Sequence, residues 1–184
     1  MIYITSDLHF GHDKKFIYEA RGFSSVHEHN EAVIDNWNSI VREEDDVYVL
    51  GDLVLNDLEA GIACIRRLRG RIHIVRGNHD SNARISEYKK LPGVVEVVDA
   101  MYLKHNGLTY YLSHYPTIVA NSFGELVIKR EVINLFGHTH SSEKLYRFPS
   151  GEVGLLMYNV SLDAHSCYPI SIDDVEIEIF EQWG

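Results

Sequence analysis

The feature that most constrains this chain is a series of short β-rich runs, each breaking off into a cluster of polar residues. The runs lie at 2–6, 47–50, 72–75, 94–98, 108–112, 132–136, 157–161 and 175–180. Five clusters carry side chains able to bind metal or move protons: Asp7-Leu8-His9, Gly51-Asp52, Gly77-Asn78-His79-Asp80, Ser113-His114 and Gly137-His138-Thr139-His140. Paired strands are a rigid frame and the loops between them are free to vary, so function collects in such loops.

Between the first three runs the pattern changes to helical spacing. Ser25 and Glu28 stand at capping-box spacing, and Val33, Trp37, Ile40 and Val41 then fall on one helical face. Leu58, Ile62, Ile65 and Leu68 repeat the pattern, with Gly70 read as the glycine that ends the helix. Strand, helix, strand, helix, strand demands parallel pairing with right-handed crossovers in the first half. After Leu91 the pattern becomes mainly strands, and Asn106-Gly107 between two β runs predicts a hairpin. The fold class is therefore α/β, with the later strands supplying a second sheet. Residues 117–131, interrupted by Gly124, are the least legible segment. A chain of 184 residues with 45% apolar content fits one core, and no linker or repeat divides it, so a single domain over 1–184 is expected.

Composition narrows the partners. A net charge of −10 opposes long-range attraction to nucleic acid or anionic lipid, unless bound cations reverse the sign locally. The basic run Arg66, Arg67, Arg69 and Arg71 reads as a solvated helix end. No stretch approaches the roughly 18 apolar residues of a membrane span, and the N-terminus does not resemble a signal peptide, so a cytoplasmic location is expected. Cys64 and Cys167 match neither a disulfide framework nor a C-x-x-C motif and read as two thiols, with Cys64 packed in a helix.

Taken singly the polar clusters are weak signals. A D-x-H after a strand is more often a capped turn, a Gly-Asp is usually a turn, and a lone His114 is usually a satisfied histidine. Gly-His-x-His is stronger, because two imidazoles offset by two residues in an extended segment face the same way. Together the clusters resist a structural explanation. The C-terminal ends of parallel strands form one edge, which would bring Asp7, Asp52 and Asn78 together. Carboxylate, imidazole and amide oxygen without thiolate suit Mn²⁺, Fe, Zn²⁺, Ni²⁺ or Co²⁺. Seven candidate ligands exceed the need of one ion, whereas two ions about 3.5–4 Å apart, bridged by a carboxylate, would use them all.

D-x-H, G-D, G-N-H-D, H and G-H-x-H, in this order from Asp7 to His140, resemble the calcineurin-like metallophosphoesterase family. The opening Thr5-Ser-Asp-Leu-His-Phe-Gly-His12, the segment from Glu31 to Asn38 and the tail Asn159-Val-Ser-Leu-Asp163 are similar to a group of small bacterial and phage phosphoesterases. The resemblance implies a four-layer α/β/β/α sandwich, two mixed sheets flanked by helices. It implies one metal on Asp7, His9 and His140, a second on Asn78, His114 and His138, and Asp52 bridging them. It places His79 near the leaving group, with Asp80 as its orienting partner. His12 is read equally as a group near the phosphate or as a surface histidine.

The expected activity is hydrolysis of small phosphate esters, diesters in particular, by in-line attack of a hydroxide shared between the metals while protonated His79 serves the leaving group. Phosphomonoesterase or nuclease action on the same site is the alternative, and a non-catalytic scaffold a weaker one, since neither a ligand nor His79 is missing. The acidic charge and the lack of an aromatic-basic groove pattern favour a small ester over a long nucleic acid. Residues 10–23 and 115–130 are the segments long enough to shape a pocket.

Overall fold

The computed structural model describes residues 1–118, 132–150 and 153–183. Strands β1 (Ile2–Thr5), β2 (Asp46–Leu50), β3 (Arg71–Val75) and β4 (Val94–Val98) run parallel in register order. Helices α1 (Lys15–Tyr18) and α2 (Val26–Ile40) connect β1 to β2, α3 (Leu58–Ile65) connects β2 to β3, and α4 (Asn82–Tyr88) connects β3 to β4. The second sheet holds β5 (Met101–His105), β6 (Leu108–Leu112), β7 (Val132–Phe136), β8 (Leu145–Ser150) and β9 (Val153–Asn159), in the order β5-β6-β7-β9-β8. A short β10 (Ile170–Ser171) returns antiparallel to β1 and leads into α5 (Ile172–Trp183).

Two apolar clusters hold these layers. Val33, Ile34 and Trp37 of α2, Ile62 and Ile65 of α3 and Tyr88 of α4 bury against Val47, Val49, Ile72 and Ile74 on one face of the first sheet. Ile4, Leu50 and Val75 from its other face meet Tyr110, Leu112, Ile133 and Leu135 of the second sheet, joined by Ile172, Val175 and Ile179 of α5. Alternate strand residues thus serve two cores, which is why these parallel strands are apolar on both faces. The result is the sandwich of two mixed sheets with helices that the motif resemblance implied. Among the described residues no helix is long and apolar enough to cross a membrane.

Several local readings hold. Ser25 accepts from Glu28 N as the cap of α2, with Glu28 reaching back to Ser24 N at 2.8 Å. Asn106 and Gly107 both take positive φ, 45° and 81°, in the two-residue turn of the β5–β6 hairpin. Cys64 and Cys167 are free and buried. The basic run only begins at a helix end, since Arg66 is the C-cap of α3 and Arg71 opens β3; Arg67, Arg69 and Arg71 pair with Glu31, Glu43 and Asp46.

Others need correction. Residues 175–180 are not a strand but the middle of α5. Alternation would put Val175, Ile177 and Ile179 on one face, yet Val175 and Ile179 are buried while Ile177 is 53% exposed, as the helical period requires. Ser171 caps that helix by accepting from Asp174 N at 3.1 Å. Helix α3 ends at Ile65, so Leu68 lies beyond it. Gly70 (φ +92°) instead turns the chain into β3, where an added Cβ would meet the Asp45 carbonyl oxygen at 3.0 Å. Most of 117–131 lies outside the described residues.

Candidate metal centre

All seven candidate ligands lie at the C-terminal ends of parallel strands, and the loops that carry them are stitched together. Asp7 N donates to the Gly51 carbonyl at 3.0 Å, His9 N to the Asp52 carbonyl at 3.0 Å, and Gly137 N to the His114 carbonyl at 3.0 Å. A parallel bridge between Ser6 and Ser161 ties the two sheets at this end. Approach is so close that a Cβ on Gly77 would overlap the Asp52 carboxylate, and one on Gly137 would overlap Ser6 Oγ and Asp7 Oδ2. Five of the seven ligands, Asp7, His9, Asp52, His138 and His140, have φ between 49° and 69°. Left-handed backbone at a non-glycine residue costs of order 1–3 kcal/mol and persists only where the surroundings fix it, which is common where side chains must converge.

Two nests of donor atoms result. In the first, His9 Nε2 and His140 Nε2 are 3.2 Å apart, and Asp7 Oδ1 lies 3.8 and 3.9 Å from them. In the second, Asn78 Oδ1 lies 2.8 Å from His114 Nε2 and 3.0 Å from His138 Nδ1. Asp52 stands between them, its Oδ2 4.0 Å from His9 Nε2 and 3.5 Å from His114 Nε2.

The protonation pattern fits cations. His114 Nδ1 is 2.7 Å from the Leu50 carbonyl, which can only accept. A neutral His114 therefore carries its proton on Nδ1 and turns a lone pair toward Asn78 Oδ1 and Asp52 Oδ2, acceptor against acceptor. Asp7 is fully buried; Oδ2 accepts from Ser6 Oγ at 2.6 Å and His138 N at 2.9 Å, while Oδ1 has no hydrogen-bond partner among the described residues. A buried carboxylate oxygen facing imidazole nitrogens without a proton or cation between them is unfavourable. A bound cation beside each group would remove both conflicts. Burial pushes the imidazole of His9 well below its ordinary pKa and that of His138 lower too, so both stay neutral and able to ligate. Burial, reinforced by the nearby Asp7 and Asp80 carboxylates against the pull of His114, pushes Asp52 upward.

The surrounding groups hold the ligands in place. Asp80 is buried; its Oδ2 accepts from Asp52 N at 2.8 Å and Gly77 N at 2.9 Å, and Oδ1 from Tyr88 OH at 2.9 Å. Its hydrogen bonds therefore go to the backbone of the metal loops and not to the His79 ring, contrary to the orienting role expected of it. His79 donates its backbone N–H to Asp52 Oδ1 at 2.9 Å, and its ring, 44% exposed, stands at the rim with Nε2 3.9 Å from Asp52 Oδ2. His12 is only 6% exposed and lines the cleft beside His9, which removes the surface reading.

Two residues that sequence reading missed complete the centre. His140 Nδ1 is 2.9 Å from Asp163 Oδ2, and Arg21 grips the same carboxylate through Nε at 3.0 Å and Nη2 at 2.8 Å. Arg21 Nη2 also donates to the Asp7 carbonyl at 2.8 Å. Arg21 Nη1 lies 2.9 Å from His29 Nε2, which must accept from a guanidinium, in keeping with burial that brings His29 down to about 4. Burial opposes ionisation of Asp163, but His140 and Arg21 outweigh it and hold the carboxyl far below its usual range. Burial likewise opposes the charged form of His140, yet Asp163 and Asp7 raise it.

Comparison with known proteins agrees with this geometry. The calcineurin-like phosphoesterase superfamily domain matches residues 1–155. The chain is 33% identical over 179 residues to an uncharacterized protein of Methanocaldococcus jannaschii, covering 94% of this chain and 87% of that one. It is 29% identical over 167 residues to the gene 66 protein of Mycobacterium phage L5, covering 79% and 80%. A protein of unknown function from Aquifex aeolicus has the same fold, with a TM-score of 0.67 at 22% identity over 96% of this chain and 97% of that one. The family's chemistry is metal-dependent hydrolysis of phosphoesters, and this chain belongs to the calcineurin-like phosphoesterase superfamily.

Proposed function

We propose that the protein is a dinuclear phosphodiesterase acting on small phosphate esters. The observation that carries the reading is the position of Asp52, whose Oδ2 lies within 4.0 Å of one ligand set and 3.5 Å of the other. Asp7, His9 and His140 would hold one divalent ion and Asn78, His114 and His138 the other, with Asp52 shared. Mn²⁺, Fe, Zn²⁺, Ni²⁺ or Co²⁺ suits these ligands and, when bound, supplies Lewis acidity and activates water at neutral pH.

The remaining work falls to this chain's own side chains. His79 stands beyond the ligands at the rim, placed to hold a proton at Nε2 for the departing oxygen. Asp80 fixes the Gly77 and Asp52 backbones, and so the two loops that present Asp52 and Asn78. Among the described residues three clefts adjoin the centre: one of about 450 Å³ past His9, His12 and His79, one of about 450 Å³ past Arg21, His140 and Asp163, and one of about 510 Å³ past Asn78, His114 and Tyr115. Room beside both ligand sets favours a phosphorus carrying two ester substituents. The test is metal dependence: chelation should abolish hydrolysis and Mn²⁺ restore it. Full turnover by a protein verified as metal-free would overturn the reading.

A further inference from the structure

We propose that the cleft on the His79 side of the metal centre binds a planar apolar substituent of the ester, an aryl or heteroaryl group, against the exposed ring of Phe16. The proposal rests on the phosphoesterase reading above and names its substrate class. The cleft holds about 450 Å³, within the range of small-molecule pockets. One end is made by the metal ligands His9, Asp52 and His140, and the other by the apolar side chains of Phe16, Ile17 and Leu55. A group tethered to phosphorus at the metals therefore projects onto an apolar wall. The cleft past Asn78 and His114 offers Arg76, Ser113, Tyr115 and Thr117 instead, so the two substituents of a diester meet different surfaces.

A single exposed aromatic on a protein surface needs no explanation; Phe16 is distinguished by its neighbours. It is 69% exposed on the short helix α1, and its ring stands at 88° to that of His12 with centroids 5.6 Å apart. His12 in turn lies 5.3 Å from His9. Phe16 therefore offers an exposed aromatic surface at the apolar end of the cleft, backed by the buried His12 ring.

The test is calorimetric titration of the metal-loaded protein with two non-hydrolysable probes, methyl(2-naphthylmethyl)phosphinic acid and ethyl(methyl)phosphinic acid, in which phosphorus carries two P–C bonds and no ester. The naphthylmethyl probe should bind about tenfold more tightly, the order expected of one aromatic stacking contact. That preference should collapse in Phe16→Ala and persist in Phe16→Tyr. Binding of the ethyl probe reports an intact metal centre in each variant. Equal affinities in the parent protein, or a preference that survives Phe16→Ala, would overturn the proposal. Because neither probe turns over, a failure of hydrolysis would strike the phosphoesterase reading and leave this result standing.

Discussion

The carboxylate of Asp163 accepts a hydrogen bond from Nδ1 of His140 at 2.9 Å, across 23 residues of sequence. Since a carboxylate can only accept, the contact fixes the proton on Nδ1 and turns Nε2, unprotonated in the neutral ring, toward His9 Nε2 at 3.2 Å. Arg21, with a side chain only 2% exposed, locks Asp163 through two bonds and holds the Asp7 carbonyl at the same time. One buried ion pair thus orients two of the three donors in the first nest.

Removing Asp163 should therefore be felt in metal binding as well as in stability. Partners of this kind typically contribute 10–100-fold to metal affinity. Asp163→Ala is expected to lose about that much at one of two sites in a calorimetric Mn²⁺ titration, with the other site less affected. It also leaves Arg21 buried without its partner, for which about 3 kcal/mol of lost stability in denaturant is expected. Lost stability with both metal affinities intact would make Asp163 a purely structural residue.

Asp52 and His114 should separate in the same titration. A shared carboxylate serves both ions, so Asp52→Asn should weaken both sites. His114 touches the Asn78 nest, so His114→Ala should chiefly weaken one. Two ions retained at parent affinity in Asp52→Asn would place the bridge elsewhere.

How much of this was legible depends on the range of the interaction. The convergence of the seven candidate ligands was readable because each follows a strand whose pattern is local, and parallel pairing brings strand ends to one edge. The roles of Asp163, read only as the end of the tail motif, and of Arg21 were not, since their contact joins residues 142 apart. Asp80 was found, but its role was misjudged: the sequence places it beside His79, whereas the fold turns its carboxylate to the backbones of Asp52 and Gly77. The alternation through residues 175–180 reads as a strand, and what overrides it is the Ser171 cap and the burial of Glu176, which accepts from Tyr110 OH at 2.9 Å. That hydrogen bond is tertiary and invisible in any window of sequence.

The glycines before the ligands give a prediction about packing. A Cβ on Gly137 has no room, because the overlapping atoms are Ser6 and the Asp7 carboxylate, itself a proposed ligand. Gly137→Ala should cost about 1–3 kcal/mol or more in stability and displace Asp7 enough to lose metal. Gly93→Ala is the control, since its Cβ would meet nothing nearer than the Gly70 carbonyl oxygen at 3.6 Å. Thermal unfolding and metal content of the two variants check it, and equal behaviour would show that the loop relaxes freely around Gly137.

His79→Ala should keep its metals and lose turnover. Among the described residues its ring, 3.9 Å from Asp52 Oδ2 and edge-on to the His9 ring, makes no hydrogen bond to a candidate ligand; the hydrogen bond to Asp52 comes from its backbone N–H, which the substitution retains. General acid catalysis is worth roughly 10²–10⁴-fold, and the loss should be smallest for esters whose leaving groups need little protonation. An equal loss across leaving groups of differing pKa would contradict a proton-donating role.

The last prediction concerns the two substituents on phosphorus. The metal nests sit between a cleft walled by Phe16, Ile17 and Leu55 and one walled by Arg76, Ser113 and Tyr115. A monoester fills one of them and leaves the other empty. A diester places one ester oxygen on the His79 side, where a proton donor waits, and directs the other toward Asn78 and His114. Tyr115, 49% exposed with its ring centroid 4.7 Å from that of His138, is placed to cover this second group. Aryl diesters should therefore be hydrolysed by the Mn²⁺-loaded protein with kcat/KM at least equal to that for the matching monoesters. Tyr115→Ala should raise KM for the diester more than for the monoester, because only the diester reaches it. Strong monoester hydrolysis with no detectable diester cleavage would mean that the second cleft closes around a terminal phosphate, and the diesterase assignment would fall.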